Sequence, residues 1–461
     1  MTHANNNSVK KELLMDWFDE KSPGISVDPN NVYFIHNPED FYSTLINKIH
    51  NAQGRVYLSS LYLGTSQLET DLVSELGHAL DRSSALRVHL LFDYLRGTRG
   101  GENSTLELVG CKNLKGLDAY FFHTPDLRGY LKQYLPERVN EIVGLQHMKF
   151  YIIDNCIILS GANLSDSYFT NRQDRYVVIE DCPKLIEFFV SVFEAVASCS
   201  VKLISDGELR ILPEIHEFPF HDDVDTFCQN FRSKIESALK NLETLQSDPT
   251  KAENTMIYPF LQMGPFQIQQ EEQFLDRLLK NESSDIDVCF STGYFNFHDT
   301  YADSMLNNSR FPISILLASP QANGFYGASG ISGSIPALYV YLSMLFHRRI
   351  QAIGKAITLF EYARPDWTFH AKGIWIEPTS NSSWAATVVG SSNYGYRSTF
   401  RDLEAQVLIV TSNTQLMKRI SDEKKYLMEH MTKIDSSTFQ RADHSVPIWV
   451  RLFARFFRNF F

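Results

Sequence analysis

Apolar residues in this chain gather in runs rather than in strict alternation. RVYLSSLYLG (55–64) and LRVHLLFDYL (86–95) are nearly continuous and rich in β-branched and aromatic residues, as expected of strands covered on both faces. A helix-like segment, 41–52, precedes the first run. The same order returns later, with a helical 271–280, then DIDVCFSTGYF (285–295), then FPISILLAS (311–319). Strands alternating with helices, repeated once along 461 residues, predict an α/β chain of two similar halves, each a mainly parallel sheet flanked by helices.

The pattern places an N-terminal tail at 1–30, a first half at 31–204 and a connector at 205–251 that carries Pro213, Pro219 and the acidic run HDDVD. The second half covers 252–435, and a separate terminal segment, 436–461, follows it. Glycine-rich loops follow the second strand of each half, RGTRGG (96–101) and NGFYGASGISGS (323–334), where open α/β sheets bind ligands. The first of them makes Arg96 and Arg99 candidate ligand contacts.

Two short patterns narrow the chemistry. The first half holds His147-Met-Lys149, then Asp154, Asn163 in a GxN, and Asp174. The second holds His370-Ala-Lys372, then Glu377, Asn393 in GSSN, and Glu404. The step from asparagine to the trailing acid is 11 residues in both copies, 163 to 174 and 393 to 404. One HxK with a following acid is weak; two copies in register are not a coincidence of composition.

Alternation along a strand puts the His and Lys of HxK on one face. Two such strands meeting across a pseudo-twofold would gather two imidazoles and two ammonium groups around one phosphate, making one active site at the interface of the halves. Lys149, Lys372, Asn163 and Asn393 suit nonbridging oxygens. One imidazole can attack phosphorus while the other moves a proton. Asp174 and Glu404 are placed to orient the imidazoles. Asp154 and Glu377 complete the two motifs, although four residues of strand put them far from the histidine tips. Neither histidine has HxH or HxxxH spacing to another ligand, so no metal and no cofactor are expected.

The doubled HxKx4D-GxN pattern resembles the phospholipase D superfamily over nearly the whole chain. The blocks RPDWTFHAKGIW (364–375), GSSNYGYRS (390–398) with RDLEAQ (401–406), and YFTNRQDRY (168–176) resemble the eukaryotic mitochondrial phosphatidylglycerophosphate synthase family. The resemblance implies two phospholipase D-like halves. It implies joining of CDP-diacylglycerol to glycerol 3-phosphate with release of CMP, the first committed step toward phosphatidylglycerol and cardiolipin. It further implies His147 as nucleophile, His370 as acid/base, and a peripheral place on the mitochondrial inner membrane. Two departures stand out: Glu377 replaces the motif's Asp, and Ala162 the more usual Ser. Ser391 of GSSN joins the candidates for substrate contact. A related synthase taking serine, a phospholipase taking water and a non-catalytic lipid-binding scaffold are the alternatives. The integral-membrane class of CDP-alcohol phosphatidyltransferases is excluded, since the chain has neither spanning segments nor that class's paired aspartates. The first twenty residues look like neither a signal nor a transit peptide, so the expectation is that a targeting segment is absent or trimmed.

Charge and the remaining cations complete the reading. A net charge of -11 opposes a polyanion, so no nucleic acid is expected as partner. Arg172, Arg175, Arg397 and Arg401, near the motifs, are candidates for the acceptor phosphate, with ordinary ion pairing as the alternative. No apolar run approaches the roughly 18 residues of a spanning helix. The end of the chain, VPIWVRLFARFFRNFF (446–461), instead sets Arg451, Arg455 and Arg458 on one helical face with Trp449, Phe453, Phe456 and Phe457 around it. That composition predicts a helix lying on an anionic membrane surface. Assembly into a homo-oligomer is left open.

Overall fold

The computed structural model describes residues 23–135, 140–204, 207–211, 223–244, 254–282, 284–379 and 383–458. Most of the expected N-terminal tail, and Pro213 and Pro219 of the connector, lie outside those residues.

The first half contributes seven principal strands: β1 (Val32–Ile35), β2 (Arg55–Ser59), β3 (Arg87–Asp93), β4 (Leu117–Phe122), β5 (Phe150–Ile153), β6 (Cys156–Ser160) and β7 (Tyr176–Glu180). The second contributes β8 (Thr255–Met263), β9 (Ile286–Ser291), β10 (Ile313–Ala318), β11 (Ile357–Tyr362), β12 (Gly373–Pro378), β13 (Ala385–Gly390) and β14 (Leu403–Thr411). Their lateral order is β4-β3-β2-β5-β6-β7-β1 in one sheet and β11-β10-β9-β12-β13-β14-β8 in the other. Read in chain order, the two sheets follow one topology. The repeat seen in the motifs is therefore a repeat of the whole half.

The sheets are mixed, which corrects the expectation of mainly parallel ones. Only β2-β3-β4 and β9-β10-β11 run parallel; the other neighbours are antiparallel. Connection length explains it. A two-residue turn, Asp154-Asn155, joins β5 to β6, and a turn that short permits only antiparallel pairing. Helical crossovers such as α1 (Pro38–His50) and α2 (Gln67–Arg82) lie in the portion read most easily from the sequence. Residues Ile25–Ser26, placed in the tail, pair with β8 of the second sheet.

Each sheet is covered on both faces. Along β5, Phe150 and Ile152 join a core shared by the two halves, while Tyr151 and Ile153 enter the first half's own core. Along β12, Trp375 faces the shared core and Ile374 and Ile376 the second half's own. Helices α3 (Pro183–Ala197), α4 (Val224–Thr244) and α5 (Gln270–Leu279) follow in the chain; α3 and α4 fill the shared core, α4 through Phe227, Phe231 and Ile235. Helices α6 (Ile335–Ile353) and α7 (Thr414–Met428) complete the second half. The connector is thus packed structure over α4.

Arg175, at the entrance to β7, ties the halves together. Its Nε and Nη2 each donate to the Glu423 carboxylate of α7 at 2.7 Å, Nη1 donates to the Val388 carbonyl and Nη2 to Thr387 Oγ1, both at 2.8 Å. The guanidinium lies 3.7 Å over the Trp375 ring. Gly373 makes room for it: a Cβ there would fall 2.0 Å from Arg175 Nη1, and its φ of 143° disfavours any side chain. Arg175 is fully committed inside the protein, so it is a structural tie and not a substrate contact. Arg175→Met leaves the Glu423 carboxylate buried without its partner. It should lower stability by about 3–5 kcal/mol in denaturant unfolding, and adding Glu423→Leu should restore part of the loss.

Candidate active site

Two short stretches of backbone cross between the halves and place the chemistry. His147 N donates to the Leu403 carbonyl at 3.0 Å, and Leu403 N to the Leu145 carbonyl at 2.9 Å. Reciprocally, His370 N donates to the Gln173 carbonyl at 2.8 Å and Thr368 N to the Asn171 carbonyl at 3.0 Å. Each histidine is therefore registered against the residue just before the opposite half's trailing acid. The side chains follow that register. His147 Nδ1 lies 2.9 and 3.0 Å from the two oxygens of Glu404, and His370 Nδ1 lies 2.7 Å from Asp174 Oδ2. The acid of one half thus orients the histidine of the other.

Asp93, at the end of β3, accepts from Arg96 N at 2.8 Å and Gln146 N at 3.0 Å, which fixes the loop and the residue before His147 together. Lys149 and Lys372 are buried beside their histidines. Lys149 Nζ donates to the His147 carbonyl at 2.7 Å. Lys372 Nζ sits 2.8 and 2.9 Å from the two ring nitrogens of His370.

The two imidazoles differ at Nε2. His370 Nε2 faces Lys372 and the Tyr168 hydroxyl, the latter at 3.3 Å, and the ring is flanked edge-on by Tyr168 and Tyr294. His147 Nε2 has no hydrogen-bond partner among the described residues.

Burial dominates the electrostatics. It holds both imidazoles well below their usual range, with Lys149 adding to the effect at His147 and Lys372 at His370. Burial also raises Asp174 to about 6 and Glu404 to about 7, and lowers Lys372 to about 8. Near neutral pH both histidines are therefore neutral.

The two histidines open into a cavity of about 420 Å³ between the halves, which Asn163 and Asn393 also line; Lys149, Lys372, Asp174 and Glu404 are not among its lining residues. Asn163 Oδ1, Asn393 Oδ1 and Arg397 Nε are buried there without partners among the described residues. Polar atoms buried and left unpaired mark where a ligand's polar groups would sit. Arg96, Arg99, Arg172 and Arg397 also reach this cavity.

Four other sequence candidates lie elsewhere. Asp154 accepts from Gln53 N, Gly54 N and Arg55 N at 2.8–3.0 Å and braces the β5-β6 turn, so it is not part of the catalytic set. Glu377 pairs with Lys424 of α7, also away from the cavity. Ser391 donates to Glu404 and accepts from Ala405 N at 3.2 Å; it positions the acid rather than touching the cavity. Arg401 donates to the Ile142 carbonyl at 2.8 Å and lies outside the cavity lining. Sequence reasoning does not single out Tyr168, Tyr294, Asn296 or Asp402. Their only signal is proximity to the motif blocks, because helix 166–170 and the loops that present them have no fixed spacing to the histidines.

His147, Asp402 and Glu404 offer three potential metal-ligand atoms within 4.8 Å of one another. Both acids are committed to protein: Glu404 to His147 and Ser391, and Asp402 to Arg397 Nη2 at 3.1 Å and Leu145 N at 3.0 Å.

The last helix, α8 (Ile448–Phe457), is half docked. Val450 and Ala454 pack on Leu338 and Val340 of α6, while Ile448, Trp449, Leu452 and Phe453 are exposed. Arg451 faces solvent, but Arg458 is drawn back to Asp299 at 2.7 Å, which corrects its place on the outward face. The side chains of Arg455, Phe456 and Phe457 lie outside the described residues. Among the described residues no helix is long and apolar enough to cross a membrane.

Because burial depresses both histidines, nitrogen-15 spectra of the labelled protein should show neutral imidazoles for His147 and His370 at pH 6. An imidazolium at either position under that condition would contradict the geometry.

No protein-family model matches the chain. Among curated proteins it is 38% identical to the mitochondrial CDP-diacylglycerol–glycerol-3-phosphate 3-phosphatidyltransferase of Bos taurus, over 96% of this chain and 85% of that protein. It is 34% identical to a protein of Dictyostelium discoideum described as a probable CDP-diacylglycerol–glycerol-3-phosphate 3-phosphatidyltransferase, over 99% of this chain and 83% of that one. Among solved structures, the phosphatidylserine synthase of Haemophilus influenzae Rd KW20 superposes with a TM-score of 0.73 over 97% of both chains at 18% identity, a likeness of fold. With its doubled motif converging on one cavity and this identity sustained along nearly its whole length, the chain belongs to the CDP-diacylglycerol–glycerol-3-phosphate 3-phosphatidyltransferase family.

Proposed function

We propose that this phosphatidyltransferase works by two displacements at one phosphorus, with His147 as nucleophile and His370 as the proton-transferring partner. The difference at Nε2 carries the reading. A nucleophilic nitrogen must have its lone pair open to the cavity, as His147 Nε2 does. A proton-transferring nitrogen belongs among other proton carriers, where His370 Nε2 meets Lys372 and Tyr168.

In the first displacement, the His147 Nε2 lone pair attacks the phosphatidyl phosphorus of CDP-diacylglycerol. An N–P bond forms, the P–O bond to CMP breaks, and CMP departs with that electron pair. A phosphate monoester, with a second pKa of about 6, needs little help from an acid to leave. In the second, the primary hydroxyl of glycerol 3-phosphate attacks the same phosphorus. His370 Nε2 takes the hydroxyl proton, the N–P bond breaks with its pair returning to His147, and phosphatidylglycerophosphate is released. Neutral imidazoles suit both roles, and burial supplies them. Lys149, Lys372 and the amides of Asn163 and Asn393 stabilise the charge that gathers on the nonbridging oxygens; deleting one such donor typically costs about 100- to 1,000-fold in kcat. Glu404 and Asp174 hold Nδ1 of His147 and His370 and so keep Nε2 available.

The donor is a membrane lipid, and α8 suits an anionic membrane surface, here assigned to the mitochondrial inner membrane after the relatives named mitochondrial. Residues 445–461 hold no Asp or Glu in a chain of net charge -11, and carry Arg451 and Arg455 besides the Arg458 that pairs with Asp299. Local cations beside exposed Trp449 and Leu452 fit an interfacial helix.

Two results are expected. With CDP-diacylglycerol labelled in its phosphatidyl phosphate, quenched enzyme should retain acid-labile label, which His147→Ala abolishes along with acceptor-dependent product; label surviving that substitution would refute the nucleophile. Trp449→Ser with Leu452→Ser should weaken cosedimentation with anionic vesicles about 10-fold or more and lower turnover on vesicles more than in detergent micelles. Unchanged sedimentation would rule out α8 as the anchor.

A further inference from the structure

The four arginines of the cavity separate by their partners. Arg99 ion-pairs with Glu141, and Arg397 donates to Asp402 at 3.1 Å. Arg96 and Arg172 have no carboxylate at ion-pair distance among the described residues. Each lies instead on a tyrosine ring, Arg96 at 4.0 Å over Tyr62 and Arg172 at 4.6 Å over Tyr168. The Arg172 Nε donates to Thr368 Oγ1 at 3.0 Å, and the Tyr168 side chain is a further hydrogen-bonding neighbour of the guanidinium. Arg172 also lines the cavity, so its guanidinium is within reach of a ligand there. A guanidinium held in a cavity without an acid is costly unless an anion visits it.

Position says which anion. Tyr168 links Arg172 to His370: its ring carries the guanidinium and its hydroxyl lies 3.3 Å from His370 Nε2. The acceptor hydroxyl must come to His370 to lose its proton, so a charged group a few bonds along the acceptor would reach Arg172. The glycine-rich loop closes this end. A Cβ on Gly324 would come within 3.3 Å of both Arg172 Nη2 and Tyr294 Oη, so the bare backbone sets the width of the space. A planar fork of donors beside a tyrosine hydroxyl matches a phosphate monoester dianion far better than an ammonium-carboxylate pair or an uncharged polyol.

We infer that Arg172 binds the phosphate of the acceptor alcohol and selects a phosphomonoester acceptor over neutral and zwitterionic ones. This rests on the assignment of His370 as the group that deprotonates the acceptor. The donor's pyrophosphate would then be held by the lysines, the asparagines and the Arg397 side of the cavity.

The test compares Arg172→Gln and Arg172→Lys with the unsubstituted enzyme, using glycerol 3-phosphate and glycerol as acceptors. Exchange of labelled CMP into CDP-diacylglycerol is measured beside them, because it passes through the phosphatidyl-enzyme and needs no acceptor. Arg172→Gln should raise KM for glycerol 3-phosphate about 10- to 100-fold, the loss of one or two charge-assisted hydrogen bonds. KM for CDP-diacylglycerol and the exchange rate should move far less, the preference over glycerol should collapse, and Arg172→Lys should recover part of it. A rise in KM for CDP-diacylglycerol, or equal losses in exchange and transfer, would overturn the assignment by placing Arg172 on the donor or in the framework. Absence of exchange in the unsubstituted enzyme would instead overturn the phosphohistidine reading, and this one with it.

Discussion

Everything in the candidate site depends on two strips of backbone hydrogen bonds that cross between the halves. At one, His147 N meets the Leu403 carbonyl; at the other, His370 N meets the Gln173 carbonyl. Main-chain pairing has no freedom to slip by less than a residue, and a slip of one would turn the side chains to the opposite face. Registering each histidine beside the residue before the opposing acid therefore fixes the imidazole–carboxylate contacts without help from flexible side chains. Arg175, with its four hydrogen bonds into the second half, holds the same seam from within the core.

The chemistry then follows from burial. A protein with a net charge of -11 brings Arg96, Arg99, Arg172 and Arg397 to one cavity, sets two lysines beside its histidines, and removes nearly all water from the histidines and their acids. Depressing both imidazoles keeps them neutral at working pH, the state that the proposed nucleophile and base require, while Asp174, raised only to about 6, stays largely ionised to accept from His370 Nδ1. What separates the two histidines is their surroundings at Nε2, where two tyrosines and Lys372 attend only His370.

Repeated spacing made much of this legible in the sequence. The 11-residue step from Asn163 to Asp174 and from Asn393 to Glu404 reflects one hairpin-and-turn geometry used twice, so the eight core residues of the site could be gathered before any coordinates. The exchange of acids between halves could not be read that way, since spacing within a half carries no information about the other half's register. Strand direction was misjudged because apolar runs show burial on two faces but not polarity, and the two-residue turn at Asp154-Asn155 was hidden inside a motif that invited a catalytic reading. Arg175 and Arg172 are three residues apart in the same block. One is spent inside the core and the other opens to the cavity, a distinction made by Gly373 and Glu423, some 200 and 250 residues further along the chain.

The crossed acids have a consequence for how such a site can diversify. Neither half owns a complete His–acid pair, so the smallest working unit is two halves together. Were those halves identical subunits, any substitution would appear on both sides of the axis at once, and the two histidines would be obliged to do the same work. Joined in one chain, each copy drifts alone: one keeps an aspartate where the other has a glutamate, and one acquires tyrosines that the other lacks. Tethering two near-copies thus lets the two histidines take the different roles proposed for them.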